Sequence, residues 1–243
     1  MKSPTNPGRF ITPEGSWFAV RTNLDQMYSS LRNFLRSIPQ RIRYRFGCST
    51  HGLRLRNLPY VFFIGFNRTA TRAFHELFLA HGIPSVHWDK NRLVGRMLTN
   101  VVSGRKILSG YDSRFLVFSD LILSNDRVWF EGNQFFRELC LDYPSSVFVL
   151  NNRKTEDWLL SRANQNKGRN LRRQQKILQC SDVESATALW RSHKNQHEEH
   201  VRHFFEDKPD RFIEIDIDNP DVVKLLSSKL PYDLDPGKWK IVT

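Results

Sequence analysis

No acidic residue stands between Asp25 and Glu76, an interval that holds nine arginines from Arg32 to Arg72. Acids are absent again from Arg162 to Lys176, RANQNKGRNLRRQQK. The formal net charge of +12 over 243 residues follows from these gaps. Such surfaces attract polyanions: nucleic acid, an anionic membrane, or a highly charged nucleotide. Long apolar runs are missing too. None approaches the ~20 residues that cross a bilayer, and the first residues hold no apolar signal-type core. Cysteine is scarce, and Cys48, Cys140 and Cys180 are odd in number and far apart. That pattern excludes a disulfide framework and zinc-ligand spacing, and it points to a reducing, cytoplasmic setting. At 40% hydrophobic residues the chain can still form one sizeable core, burying roughly 70–75% of its unfolded surface.

The organisation expected is an N-terminal extension over 1–57 and a main domain over 58–243. Pro4, Pro7, Gly8, Pro13 and Gly15 make the first stretch an irregular arm. Asn23 and Gln26 resemble a capping box, and Leu24, Met27, Leu31, Leu35 and Ile38 line one face of the helix that follows. Arg32 and Arg36 occupy its other face. That face allows peripheral contact with a membrane surface, the competing reading being packing against the main domain.

The main domain is organised around YVFFIGFNRTATRAFHELFLAHG, residues 60–82. Val61 to Ile64 read as a buried strand, Gly65 breaks it, and Phe74, Leu77 and Phe78 recur at helical spacing. The turn between them offers free N–H groups at a helix N-terminus, which favours an anion. Arg68 and Arg72 add permanent cations, and Thr69 and Thr71 add hydroxyl donors. Further strands are expected at 84–88, 115–119, 147–150 and 212–217. Helices are expected up to Val102, around Phe135, Phe136, Leu139 and Leu141, from Thr155, over Val183–Phe205 and over Asp221–Leu230. This alternation predicts an α/β fold, a parallel central sheet of about five strands flanked by helices. Asp120 and Asn151 then project from strand ends beside the anion turn. Helix 183–205 reads as polar and solvated, with His193, His197, His200 and His203 on one broad face.

The turn departs from the phosphate loop of nucleotide hydrolases, because Ala70, Thr71 and Arg72 stand where Gly, Lys and Ser/Thr are needed. It resembles the sulfotransferase loop P-[KR]-[ST]-[GA]-T, with Asn67 at the proline, Arg68 at the catalytic Lys/Arg, then Thr69, Ala70 and Thr71. A second stretch, NNRKTEDWLLSR, resembles the same family's element for a nucleotide 3′-phosphate: Arg153 at a strand end and Ser161 eight residues on. The stretch LWRSHKNQHEEHVRHFFEDKPDRFIEIDIDNPDVVKLL resembles the family's late helix, strand and closing helix.

The resemblance implies a P-loop-containing-nucleotide-hydrolase-like sulfotransferase fold. It also implies transfer of a sulfuryl group from 3′-phosphoadenosine 5′-phosphosulfate (PAPS) to a carbohydrate or small-molecule hydroxyl, with adenosine 3′,5′-bisphosphate as product. Asn67, Arg68, Thr69, Ala70, Thr71 and Arg72 would hold the 5′ end, Arg153 and Ser161 the 3′ end, and no metal or specific nucleic acid is expected. Arg68 would stabilise developing charge. His87, in a VHW stretch, is the first candidate for the general base, with Asp89, Glu76 and Asp120 as competitors. Two other readings stay open: a P-loop-type small-molecule kinase using Asp120 as a magnesium ligand, and a basic RNA-binding protein.

Overall fold

The computed structural model describes residues 58–240. The arm and amphipathic helix expected within 1–57 lie outside them. The alternation is otherwise present. Strand β1 (Val61–Phe63) turns into α1 (Thr71–Ala80), followed by β2 (Ser85–His87), α2 (Arg92–Val102) and β3 (Val117–Ser119). A hairpin of β4 (Ile122–Ser124) and β5 (Trp129–Glu131) precedes α3 (Phe136–Asp142) and β6 (Val147–Asn152). Helices α4 (Thr155–Ala163), α5 (Arg169–Leu178) and α6 (Val183–Phe205) lead to β7 (Phe212–Asp216) and α7 (Val222–Lys229).

Five strands form one all-parallel sheet in the order β2–β3–β1–β6–β7. Successive side chains of a strand point to opposite faces. Val61, Phe63, Val149 and Ile213 accordingly pack with Phe74 and Phe78 of α1 and Leu226 of α7. On the other face Phe62 stands in register with Phe118 and Phe148, their ring centroids 5.4 and 5.2 Å away. Burial on both faces is why these strands read as unbroken apolar runs. The chain leaves β1 toward one edge and returns on its other side at β6. The loop after β1 therefore lies at the switch point where such sheets bind ligands. No helix among the described residues is long and apolar enough to cross a membrane.

The helix expected around Phe136, Leu139 and Leu141 is α3, which buries Phe136, Leu139 and Cys140 and leaves Leu141 81% exposed. One expectation needs correction. Helix α6 is not a solvated helix. It buries Ala186, Trp190, Lys194, His197, Val201 and Phe205, a stripe stepping by three or four residues, and His197 is separated by burial from the exposed His193, His200 and His203. The β4–β5 hairpin went unread because each strand is only three residues long. Its signal was Asn125, whose Oδ1 accepts the N–H groups of Arg127 and Val128 in an Asx turn.

Gly65 is the tightest point of the fold. A Cβ there would stand 2.1 Å from the Asn151 carbonyl oxygen and 2.6 Å from its Oδ1. The carbonyl oxygen cannot retreat without shifting β6, so Gly65→Ala is expected to destabilise the protein by at least ~2 kcal/mol. The urea midpoint measures this, and a midpoint equal to that of the parent would show that β6 yields freely here.

Candidate active site

The loop from Gly65 to Ala70 is braced from behind by side chains of four other elements. Asn151, at the end of β6, accepts the Gly65 N–H at 3.0 Å through Oδ1 and donates through Nδ2 to the Thr69 carbonyl and hydroxyl at 2.8 and 2.6 Å. Trp158 of α4 donates its indole N–H to the Asn67 carbonyl at 2.9 Å. Arg162, one turn on, donates to Asn67 Oδ1 at 2.9 Å, and Asn67 Nδ2 donates to Gln165. Asn133 and His197 both donate to the Ile64 carbonyl, at 3.2 and 2.8 Å. Burial lowers the His197 pKa, which favours the neutral ring that makes this bond.

Arg162 is only 3% exposed, pairs with the buried Glu131 of β5, and lies over the rings of Phe66, Trp129, Trp158 and Trp190. The hydrophobic cluster of Phe66, Trp158, Leu171, Ala186 and Trp190 encloses that ion pair. The Asn67 side chain is thus spent inside the protein, as is that of Thr69, 1% exposed.

The front of the loop is the opposite. Backbone N–H groups from Phe66 through Ala73 have no hydrogen-bond partner among the described residues. Helix α1 begins in the middle of this run without a side-chain cap. Arg68 and Ala70 hold φ of +71° and +57°, left-handed values that curl successive amides to one side. Arg68 projects from this ribbon, half-exposed, and its Nε donates to Ser161 Oγ of α4 at 2.9 Å. Thr71 is buried at the head of α1, and Arg72 is exposed beside it.

Across from the loop, at the end of β3, sits a second pair. His87 Nε2 is 3.6 Å from Asp120 Oδ2, and its Nδ1 lies 3.2 Å from Ser119 Oγ. Their side chains keep 19% and 15% exposure. Burial pushes the Asp120 carboxyl up to about 7, Glu131 adds to the rise, and Arg162 and Arg68 oppose it. Burial also holds His87 down at about 4, helped by His75 and Arg72. The ring of His75 stacks 5.6 Å from that of His87. Asp120 Oδ1 is shielded and has no hydrogen-bond partner among the described residues. Asp89 is held elsewhere: its carboxylate takes the Tyr111 hydroxyl at 2.5 Å and pairs with Arg92. Glu76 is exposed on α1.

Arg153 follows β6 and lines a cavity of about 370 Å³ with Thr155 and Lys194. The structure thus brings Arg68 and Ser161 into contact and sets Arg153 on a separate cavity. Sequence reasoning missed Arg162 and Glu131 as loop supports, and it noted Asn151 only as a strand-end residue. The only advance signal for any of them was the NN pair that ends an apolar strand.

A family model for the sulfotransferase domain matches residues 60–219. No curated protein matches the chain. The matched span is about two thirds of the sequence and runs from β1 past β7, so it takes in every strand of the sheet and both cationic strand ends. On that match the chain belongs to the sulfotransferase domain family.

Proposed function

We propose that the protein is a PAPS-dependent sulfotransferase acting on a carbohydrate or small-molecule hydroxyl. The observation that carries this reading is the run of N–H groups from Phe66 through Ala73, unpartnered among the described residues, with Arg68 within it. Donors arranged around left-handed residues at a helix N-terminus suit a tetrahedral anion. The donor molecule would supply an activated sulfuryl group in a mixed anhydride of sulfate and phosphate. This chain's residues would bind it, orient it and move one proton. The loop amides, with Thr71 and Arg72 at the head of α1, would cradle the 5′ end. Arg68 would stabilise the charge that develops as the new O–S bond forms and the S–O bond to phosphate breaks. Its bond to Ser161 fixes the guanidinium in advance, which reduces reorganisation at the reacting centre.

The acceptor proton would pass to Asp120. Its carboxyl keeps 15% side-chain exposure and is held near neutrality, whereas both His87 nitrogens face protein groups. His87, neutral above pH 5 or so, then positions the carboxyl rather than taking the proton first. This assignment moves the base from His87, the first candidate on sequence grounds, to its partner.

Three outcomes are expected. Adenosine 3′,5′-bisphosphate should bind without magnesium and much more tightly than ADP or ATP in calorimetry. Magnesium-dependent preference for ATP would point instead to a kinase. Second, Asp120 serves as base only when ionised, so turnover should rise with pH through about 7. Asp120→Asn should cut turnover by ~10²–10⁴ and remove that rise. A profile flat from pH 6 to 9, with His87→Ala the more damaging change, would return the role to His87. Third, Arg68→Ala should lower saturated turnover by ~10²–10³, with Arg68→Lys recovering part. Arg153→Ala should mainly weaken nucleotide binding, by ~1.5–3 kcal/mol. An Arg68→Ala enzyme with normal saturated turnover would reduce the loop to an anchor.

A further inference from the structure

Directly after His87 comes the longest run of positive φ among the described residues. Trp88, Asp89, Lys90 and Asn91 hold +56°, +46°, +51° and +72°, with no glycine among them. Trp88 is the extreme case. Its ψ of −45° takes it out of the left-handed helical region and toward the strained form of the γ-turn, where a bulky side chain is an outlier.

The fold holds this run from both sides. The Trp88 N–H donates to the carbonyl of Ser119, the residue before Asp120, at 3.2 Å. Its indole N–H donates to Asn91 Oδ1 at 2.9 Å. Asn91 Oδ1 also accepts the Ser124 N–H at 2.8 Å, and Asn91 Nδ2 donates to the Ser124 carbonyl at 2.9 Å, so this side chain pairs with β4 much as a strand would. Between them the Asp89 carboxylate takes the Tyr111 hydroxyl and pairs with Arg92. Strain of this kind persists only where neighbours over-determine the backbone, and it clusters at ligand sites.

What the strained run presents is an indole ring. Trp88 is 37% exposed, and among the described residues no other ring stacks on it and no cation lies over it. A lone exposed apolar side chain is ordinary. One whose polar edge is satisfied, whose orientation is fixed and whose face is empty is a preorganised binding surface, because little freedom is lost when a ligand lands on it. Its place is the acceptor's side of the site. The indole is anchored between the residue after His87 and the hairpin that begins two residues after Asp120. The same turn carries the exposed Lys90 and Arg92 and the partly buried Asn91, so hydrogen-bonding groups accompany the ring. A pyranose matches that combination. Its C–H face suits the negative face of an indole, and its hydroxyl rim suits the polar side chains.

We propose that Trp88 is a specificity residue for the acceptor: a pyranose ring stacks on its indole, which presents a sugar hydroxyl to the His87–Asp120 pair and makes the acceptor a carbohydrate. The inference rests on the sulfotransferase reading and narrows its acceptor to one class.

Fluorine NMR of the full chain labelled with fluorotryptophan tests this, with and without adenosine 3′,5′-bisphosphate. The Trp88 resonance is assigned by its loss in Trp88→Phe or Trp88→Tyr. The probes are tetrasaccharides of glucose, galactose and N-acetylglucosamine, with phenol and hexanol as comparators. At least one saccharide should move the Trp88 resonance, and phenol and hexanol should not. In calorimetry Trp88→Ala should weaken binding of that saccharide about 3- to 10-fold, the range of one aromatic contact. Trp88→Phe should keep part of the affinity, and bisphosphate binding should be unchanged in both variants. A resonance that no saccharide moves, or that phenol or hexanol moves as far, overturns the carbohydrate assignment. A folded Trp88→Ala protein with undiminished saccharide affinity overturns the role of Trp88, as does an equal loss for the bisphosphate. A parent protein that binds saccharide at Trp88 but does not prefer the bisphosphate to ADP overturns the donor reading and leaves the sugar platform standing.

Discussion

A ribbon of backbone amides left open at the end of β1 is unstable unless something else fixes its shape. Each unpaired donor would otherwise pull the loop into a turn or a longer helix. The Asn151 carboxamide supplies that constraint. Its oxygen accepts the Gly65 N–H and its nitrogen donates to two Thr69 oxygens, so one side chain spans the loop from entry to exit. The closeness this demands explains Gly65, where even a methyl group would overlap β6. It also accounts for the strain. Arg68 and Ala70 sit in left-handed conformations that cost an L-residue about 1–2 kcal/mol each, and such strain persists only where neighbours over-determine the backbone.

A second support works through buried charge. Arg162 holds Asn67 from beneath, and its pairing with Glu131 places two full charges inside an aromatic box. The hairpin matters because it delivers Glu131 to that point. Both charges act on Asp120 in opposite senses, Glu131 raising its pKa and Arg162 lowering it. Desolvation still dominates, leaving a carboxyl near neutrality next to a histidine that stays uncharged. The Arg162–Glu131 pair therefore both supports the loop after β1 and tunes the facing acid.

These roles divide what sequence could and could not reveal. Val61–Phe63, Val147–Asn152 and Val183–Phe205 were legible because apolar runs and breaker residues act locally along the chain. The strand–turn–helix unit around Gly65–Thr71 was legible because the strand, its breaker and the helix start lie side by side in sequence. Asn151, Arg162 and Glu131 were not, since each acts on a residue 31 to 95 positions away. Helix α6 shows the same limit. Its inward face carries Lys194, His197 and Glu198, residues that read as solvent-facing until partners for all three come into view. Asp89 fails in the other direction. It looks like an acid beside His87, yet Tyr111 and Arg92 consume its carboxylate.

The end of β6 links the loop after β1 to the cavity beside Arg153. Three consecutive residues there have three separate tasks. Asn151 closes the loop after β1, Asn152 gathers Lys194 and the Arg153 N–H on one oxygen, and Arg153 faces the cavity. Because Asn151 pairs with β7 across Ile215 and Asn152 across Asp216, their backbones are fixed by the sheet rather than by a mobile loop. Displacing this strand end would disturb the loop and the cavity together. A ligand that reached from the Arg68 loop to the Arg153 cavity would thus meet two cationic ends whose spacing is set by the parallel pairing of β1 with β6. Rigid spacing of that kind favours a molecule with anions at both ends over one with anions at a single end, because neither site has to move to meet the second charge.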